Sequence, residues 1–207
     1  MINEEKAVQD FFEIIDTKVL RKIIDEFYLK SSYIHGTPHW SRVFYYGHTL
    51  SNHSNFDKEI IAYFSLFHDS KRFNDHEDPE HGLRGAEFFR SLDKIIYVSA
   101  EQKEIIYEAC KVHNYLKQSD NLEVGMCLDS DRLDLWRVGI KPSNDYLHID
   151  LSKTEKMKNT SLYYVQNNPN YTILSDRIIR SVYDIEQEKP YNNSILSKIK
   201  NQFKFKF

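Results

Sequence analysis

Imidazole and carboxylate side chains recur along this 207-residue chain in an order that suits metal ligation: His39, the dipeptide His68-Asp69, His81, His113 and Asp131. Mixed nitrogen and oxygen donors favour a divalent transition ion (Mn, Fe, Co, Ni or Zn) over Mg or Ca, which prefer oxygen alone. Donors so far apart in sequence surround one ion only where several helices converge, as in a bundle. An ion with open positions activates water and polarises a phosphoryl oxygen, and the charge that develops there calls for nearby cations. Lys71 and Arg72 follow the His-Asp pair directly, and Arg42 lies three residues after His39 on the same helical face. Arg84 and Arg132 are lesser candidates for binding substrate. Seven of the nine histidines fall between His35 and His81, yet His35, His48, His53 and His76 follow no ligand spacing and read as surface or loop residues.

The elements that must position these groups read as helices. Apolar residues at Val8, Phe11, Phe12, Ile15, Val19, Ile23, Ile24 and Phe27 keep spacings of three and four, which predicts one continuous first helix with Asn3 as its cap. Residues 31–37 have turn composition. Thr37-Pro38 reads as an N-cap followed by proline at the first helical position. The helix it opens carries His39, Val43, Tyr46 and Leu50 along one face and ends near residues 53–55. A third helix, from Asp57 through Phe67, is apolar on nearly all sides, so it is expected at the centre, delivering His68-Asp69 at its C-terminal end. The polar segment 71–80 reads as a loop long enough to suspect a functional role. Helices are predicted over 81–92, 100–115, 124–135, 151–164 and 174–187. No segment alternates in the manner of a strand. The expected fold class is therefore all-α: a helical bundle over 1–145, with a C-terminal helical extension over 146–207 that packs on the core as part of it or as an appendage.

Composition bounds the function classes. At 41% hydrophobic and 29% charged, the chain can bury a core, and a net charge of −3 without a basic stripe gives no case for nucleic acid. Cys110 and Cys127 are spaced like neither a zinc knuckle nor a redox pair, which fits a reducing compartment. The acidic, amphipathic N-terminus and the absence of any run of eighteen apolar residues argue against secretion and membrane spanning, so a cytoplasmic setting is expected.

Five segments together, HGTPHWSRV, LFHDSKR, EHGLRGAEF, VHN and DSDRLD, resemble the HD superfamily of metal-dependent phosphohydrolases over roughly residues 30–140. The resemblance implies an all-α HD-domain bundle in which His39, His68, Asp69 and Asp131 ligate the first ion. Asp129 and Asp134 would then support those ligands from behind. It further implies that His81 and His113 hold a second ion or the substrate, leaving one or two ions open. Asp69 would bridge the ions or take the proton of the attacking water, and Arg72 matches the lysine of the family's HDxGK form. The substrate class implied is a small phosphorylated metabolite, with a nucleotide foremost, and Tyr45, Tyr46 and Phe73 are candidates to stack a base. HD-type bundles also include di-iron oxygenases and ligand-binding modules without turnover, and both remain alternatives.

The C-terminal KIKNQFKFKF interleaves Lys198, Lys200, Lys204 and Lys206 with apolar residues. It reads as a tail rather than as an amphipathic contact with an acidic partner or lipid.

Overall fold

The computed structural model describes residues 2–183, and all regular structure among them is helical. Its α-helices are α1 (Glu4–Ile14), α2 (Thr17–Glu26), α3 (Thr37–Ser54), α4 (Lys58–Phe67), α5 (His81–Ser91), α6 (Ala100–Val112), α7 (Leu122–Leu133), α8 (Asp150–Lys153), α9 (Glu155–Asn167) and α10 (Ile173–Val182). Short 3₁₀ turns span Asp134–Val138 and Asn144–Tyr146. The all-α expectation holds across the described residues.

The most apolar helix is the central one. Asp57 caps α4 by accepting from the Glu59 N–H, and every residue from Ile60 to Phe67 is buried as the helix packs against α3, α5, α6 and α7. Its C-terminal end therefore lies inside the molecule. Two glycines let α5 come close to that end. A Cβ on Gly85 would stand 2.3 Å from the Phe67 carbonyl oxygen, and one on Gly82 would stand 2.7 Å from the Cys110 carbonyl oxygen. The start of α5 thus lies directly across the ends of α4 and α6, the two places where His68-Asp69 and His113 leave their helices.

Several boundaries differ from the sequence expectation, and three of the differences have a local physical cause. The first apolar stripe is two helices, because Ile15 turns extended and the Asp16 carboxylate accepts from the Lys18 N–H to cap a new helix. The stripe survives the break since Ile15, Val19, Leu20 and Ile23 are buried in the same core. The N-cap of α3 is Gly36 rather than Thr37, which puts Pro38 at the second helical position. A Cβ on Gly36 would stand 2.1 Å from the Ser32 carbonyl oxygen, so the turn leading into α3 has no room for a capping side chain. The segment 151–164 is also interrupted, by Thr154, whose hydroxyl accepts from the Met157 N–H and caps α9.

Residues 146–183 share the core of the bundle: Ile149, Met157, Tyr164, Leu174, Ile178 and Val182 are buried in one cluster with α1–α7. Tyr45 Oη accepts from the Leu174 N–H, and Tyr164 Oη donates to Glu4 across the molecule. Both cysteines are free and buried. Among the described residues no helix is long and apolar enough to cross a membrane. The last helix ends at Val182 with Tyr183 as its C-cap, and residues 184–187 of the predicted helix and the basic aromatic tail lie outside the described residues.

Candidate metal centre

The helix ends deliver their histidines to one buried place. His39 projects from the first turn of α3, His68 and Asp69 follow α4, His81 opens α5, His113 caps the end of α6, and Asp131 lies in the last turn of α7. Four of these groups, His39, His68, Asp69 and His113, have side chains with no more than 3% exposure. Two sets of donors form around the Asp69 carboxylate: His39, His68 and Asp69 in one, and Asp69, His81 and His113 in the other.

In the first set His39 Nε2 lies 3.0 Å from His68 Nε2 and 3.4 Å from Asp69 Oδ2. Asp131 Oδ1 completes it, 3.4 Å from His39 Nε2 and 3.9 Å from His68 Nε2. In the second, His81 Nε2 lies 2.9 Å from His113 Nε2 and 3.1 Å from Asp69 Oδ1, with 3.6 Å between His113 Nε2 and the same oxygen. Donors about 2.1 Å from a transition ion stand about 3.0 Å apart in an octahedron and about 3.4 Å apart in a tetrahedron, so most of these separations are polyhedron edges.

Protonation makes the same point more strongly. Each of the four rings faces an oxygen acceptor with Nδ1: His39 the Asp134 Oδ2 at 2.8 Å, His68 the Phe64 and Ser65 carbonyls at 3.1 Å, His113 the Cys110 carbonyl at 2.7 Å, and His81 the Asp78 carbonyl. In the neutral rings these acceptors take the Nδ1 proton, which leaves a lone pair on Nε2. Two facing lone pairs 3.0 Å apart repel unless a cation lies between or beside them. Asp69 Oδ1 and Asp131 Oδ1 are buried with no hydrogen-bond donor, although the His81 nitrogen is near the first of them. With its proton on Nδ1, that imidazole has none to give the oxygen. The residues therefore fit a metal ion by donor type, spacing and unmet need.

Electrostatics keeps His68, Asp69 and Asp131 in ligating form, whereas the Asp69 carboxylate holds His113 above its ordinary value against burial. Burial pushes the His68 pKa down to about 3, so the ring is neutral. Burial alone would raise the Asp69 carboxyl, but His68, His113, His39 and His81 together hold it well below the usual carboxylate range. Asp131 is likewise held low against burial, with Arg137 the foremost favourable charge.

Of the two supporting aspartates expected from the sequence, Asp134 takes that role and Asp129 does not. Asp134 accepts from His39 Nδ1 and binds Arg42 by both oxygens, at 2.7 Å from Nε and 2.9 Å from Nη2. Asp129 instead accepts from the His148 and Ile149 N–H groups, His148 Nδ1 and Ser152 Oγ, which fastens the segment after the 3₁₀ turns onto α7.

The expected substrate cations are mostly spent elsewhere. Arg42 is buried, held by Asp134 and by the Pro169 carbonyl, and presents nothing to a substrate. Arg132 donates to the carbonyls of Leu116, Lys117 and Tyr146, so it clips the segment before α7 to the one after it. Arg84 pairs with Asp78 and the Lys71 carbonyl, and Lys71 pairs with Glu26 and lies over the Phe88 ring. Arg72 does reach the centre: its Nη1 stands 3.2 Å from His81 Nε2 and 3.7 Å from Asp69 Oδ1. Its other nitrogens hold the Asn74 and His76 carbonyls and so shape the 71–80 loop. The guanidinium and a second ion would compete for the same lone pair. Tyr45 and Tyr46 are fully buried and cannot stack a base, whereas Phe73 is 58% exposed and packs edge-on against the exposed Tyr28.

Two residues at the centre carried no ligand spacing. His35 is buried beside it, 6.4 Å from the His39 ring, with Nδ1 against Asp75, and burial pushes its pKa down to about 4. Arg137 stands three residues after Asp134 within the 3₁₀ turn, where such positions eclipse. That spacing was the available signal. Its Nη2 lies 3.6 Å from Asp131 Oδ1. No family model, curated protein or solved structure matches the chain.

Proposed function

We propose that this chain is a metal-dependent phosphohydrolase of the HD type, acting on a small phosphorylated metabolite, a nucleotide foremost. The observation that carries the metal is the buried convergence of four Nε2 lone pairs on a carboxylate with one oxygen toward each pair. The reaction class rests on the resemblance of the ligand order to HD enzymes and on the cation of Arg72 beside Asp69.

His39, His68, Asp69 and Asp131 would hold the principal ion. His81 and His113 would hold a second only where Arg72 gives way. A divalent transition ion bound there supplies Lewis acidity, lowering the pKa of a coordinated water to roughly 7 and polarising a phosphoryl oxygen. The chain's own groups do the rest. Asp134 fixes the His39 ring, and Arg72 offsets charge on the phosphoryl oxygens. Asp69 Oδ1, with no donor of its own, accepts the proton of the attacking water when the second set holds no ion. Phe73, on the loop between Asp69 and His81, carries the Arg84 guanidinium over one ring face, so the exposed Tyr28 ring beside it would be the aromatic face for a base.

The test is elemental analysis of the purified protein followed by a phosphatase screen across nucleotides with Mn, Co and Ni. Wild type is expected to carry a transition metal and release phosphate, and Asp69→Ala to lose both. Full metal occupancy and full activity in that variant would sink the assignment. The six donors, with one Asp69 oxygen toward each pair, would also accommodate two irons, which permits a second reading, a di-iron oxygenase. Two irons per chain with oxygen consumption and no phosphate release would establish it. Ligand binding that survives metal removal, without turnover, would point instead to a sensing module.

A further inference from the structure

We infer that Arg137 is the anion-binding residue of this site, its guanidinium edge taking a phosphoryl oxyanion presented to the first donor set. The inference deepens the phosphohydrolase reading and rests on it. Arg137 belongs to the 3₁₀ turn Asp134–Val138, which folds the chain back over the end of α7. Its side chain is 9% exposed. Nε donates to the Ile34 carbonyl at 2.8 Å, which anchors the plane of the group to the turn before α3. Nη2 stands 3.6 Å from Asp131 Oδ1, beyond a hydrogen bond but within Coulombic reach, and Nη1 is buried with no partner at all.

Such an arrangement is costly unless something completes it. A buried guanidinium with unmet N–H groups loses the hydration it had in the unfolded chain. Neither neighbouring carboxylate meets the need: Asp134 is committed to Arg42 and His39, and Asp131 Oδ1 is a donor of the first set. The other candidate arginines are engaged differently, Arg42 and Arg132 by buried acceptors and Arg84 by Asp78. Arg72 lies on the opposite side of Asp69, against His81. Arg137 therefore leaves the N–H groups of a planar Nη1/Nη2 edge unmet next to Asp131, and that edge matches two oxygens of a phosphate. A tetrahedral oxyanion placed there would meet Arg137 on the side of His39 and Asp131, with Arg72 on the far side of the centre.

The test is calorimetric titration of inorganic phosphate into metal-loaded wild type and Arg137→Gln, with the metal content of both measured. Wild type is expected to bind phosphate. Arg137→Gln should keep its metal and bind phosphate about 10- to 100-fold more weakly, as expected for loss of charge-assisted hydrogen bonds. In turnover it should raise KM for a phosphomonoester more than it lowers kcat. Phosphate affinity equal to wild type would overturn the inference while leaving the phosphohydrolase reading intact. Loss of metal together with phosphate would also overturn it, making Arg137 a support for Asp131. Wild type that carries metal yet neither binds phosphate nor releases it from any ester would end both. Should the glutamine variant not fold, Arg137→Lys keeps the charge without the planar edge. It should weaken phosphate at least about threefold, and unchanged affinity there counts against the inference equally.

Discussion

Each candidate ligand residue in this protein is defined by what stands behind it. A histidine with Nδ1 committed to an oxygen has one orientation and one free lone pair, and four such rings aim at the Asp69 carboxylate. His39 is distinguished from the rest because its acceptor is charged: Asp134, itself held far below the usual carboxylate range against burial, foremost by Arg42. Replacing Asp134 by Asn should weaken metal binding about 10- to 100-fold, the usual effect of losing a ligand's supporting carboxylate. It should also destabilise the fold by about 3–5 kcal/mol, since Arg42 remains buried without its counter-ion. Metal titration and urea unfolding check the two effects separately. A variant as tight and as stable as wild type would mean that Asp134 has neither role.

At the scale of elements, the centre is made of helix ends. An α-helix interior points its side chains outward in all directions, but the residue just past a terminus can be aimed inward, and α4 and α6 both place a ligand there. The cost is that buried terminal carbonyls must be met, and His68 and His113 meet some of them with their own Nδ1–H groups. Close approach of α5 then depends on Gly85. Gly85→Ala would place a methyl 2.3 Å from the Phe67 carbonyl oxygen and force the two helices apart. The expected loss is about 1–3 kcal/mol of stability, as for other overpacked sites, with metal affinity reduced because His81 moves with α5. An unchanged melting temperature and unchanged affinity would show that the helices have slack that the geometry denies them.

At the scale of the whole molecule, an ion held by His39, His68, Asp69 and Asp131 would cross-link α3, α4 and α7. Any ligand that binds only the folded state adds stability, about 2.7 kcal/mol at a free concentration of 100 times Kd. For a chain of this size that is a rise in Tm of roughly 5–11 °C. Chelation of wild type should reverse it, while Asp69→Ala should show no metal-dependent shift in differential scanning calorimetry.

A second whole-molecule behaviour comes from a buried cluster away from the centre. Asp10 of α1 is met by Lys6 of its own helix, by His48 of α3 and by Lys58 of α4. Burial would raise its pKa, yet the three partners hold it well below its ordinary value of 3.8, and burial pushes His48 below its ordinary 6.5. Both folded-state values are depressed. The stabilisation they give is thus present above the unfolded values and lost as pH falls, first through the histidine and then through the aspartate. Unfolding free energy should decline from pH 6.5 downward and more steeply below about pH 4. Asp10→Asn should be less stable at neutral pH, with a shallower acid limb in urea titrations.

The amino-acid sequence by itself determined the all-helical class, the buried central helix, the order of the histidine and aspartate groups that converge and the loop before His81, because these follow from local periodicity and residue chemistry. It did not determine which polar residues serve the site. Arg42, Arg132 and Asp129 had the right types in the right neighbourhoods, but the tertiary structure engages all three in holding the fold together, with Pro169, Leu116 and Ile149 among their backbone partners. Arg137 and His35 carried no ligand spacing and stand beside the centre. The helix break at Asp16 escaped for a related reason: its two helices share one apolar stripe, so periodicity runs straight across it. Periodicity reports which face is buried and spacing reports which residues share that face. Which partner a buried charge finds depends on segments far away in sequence, and only the folded chain decides it.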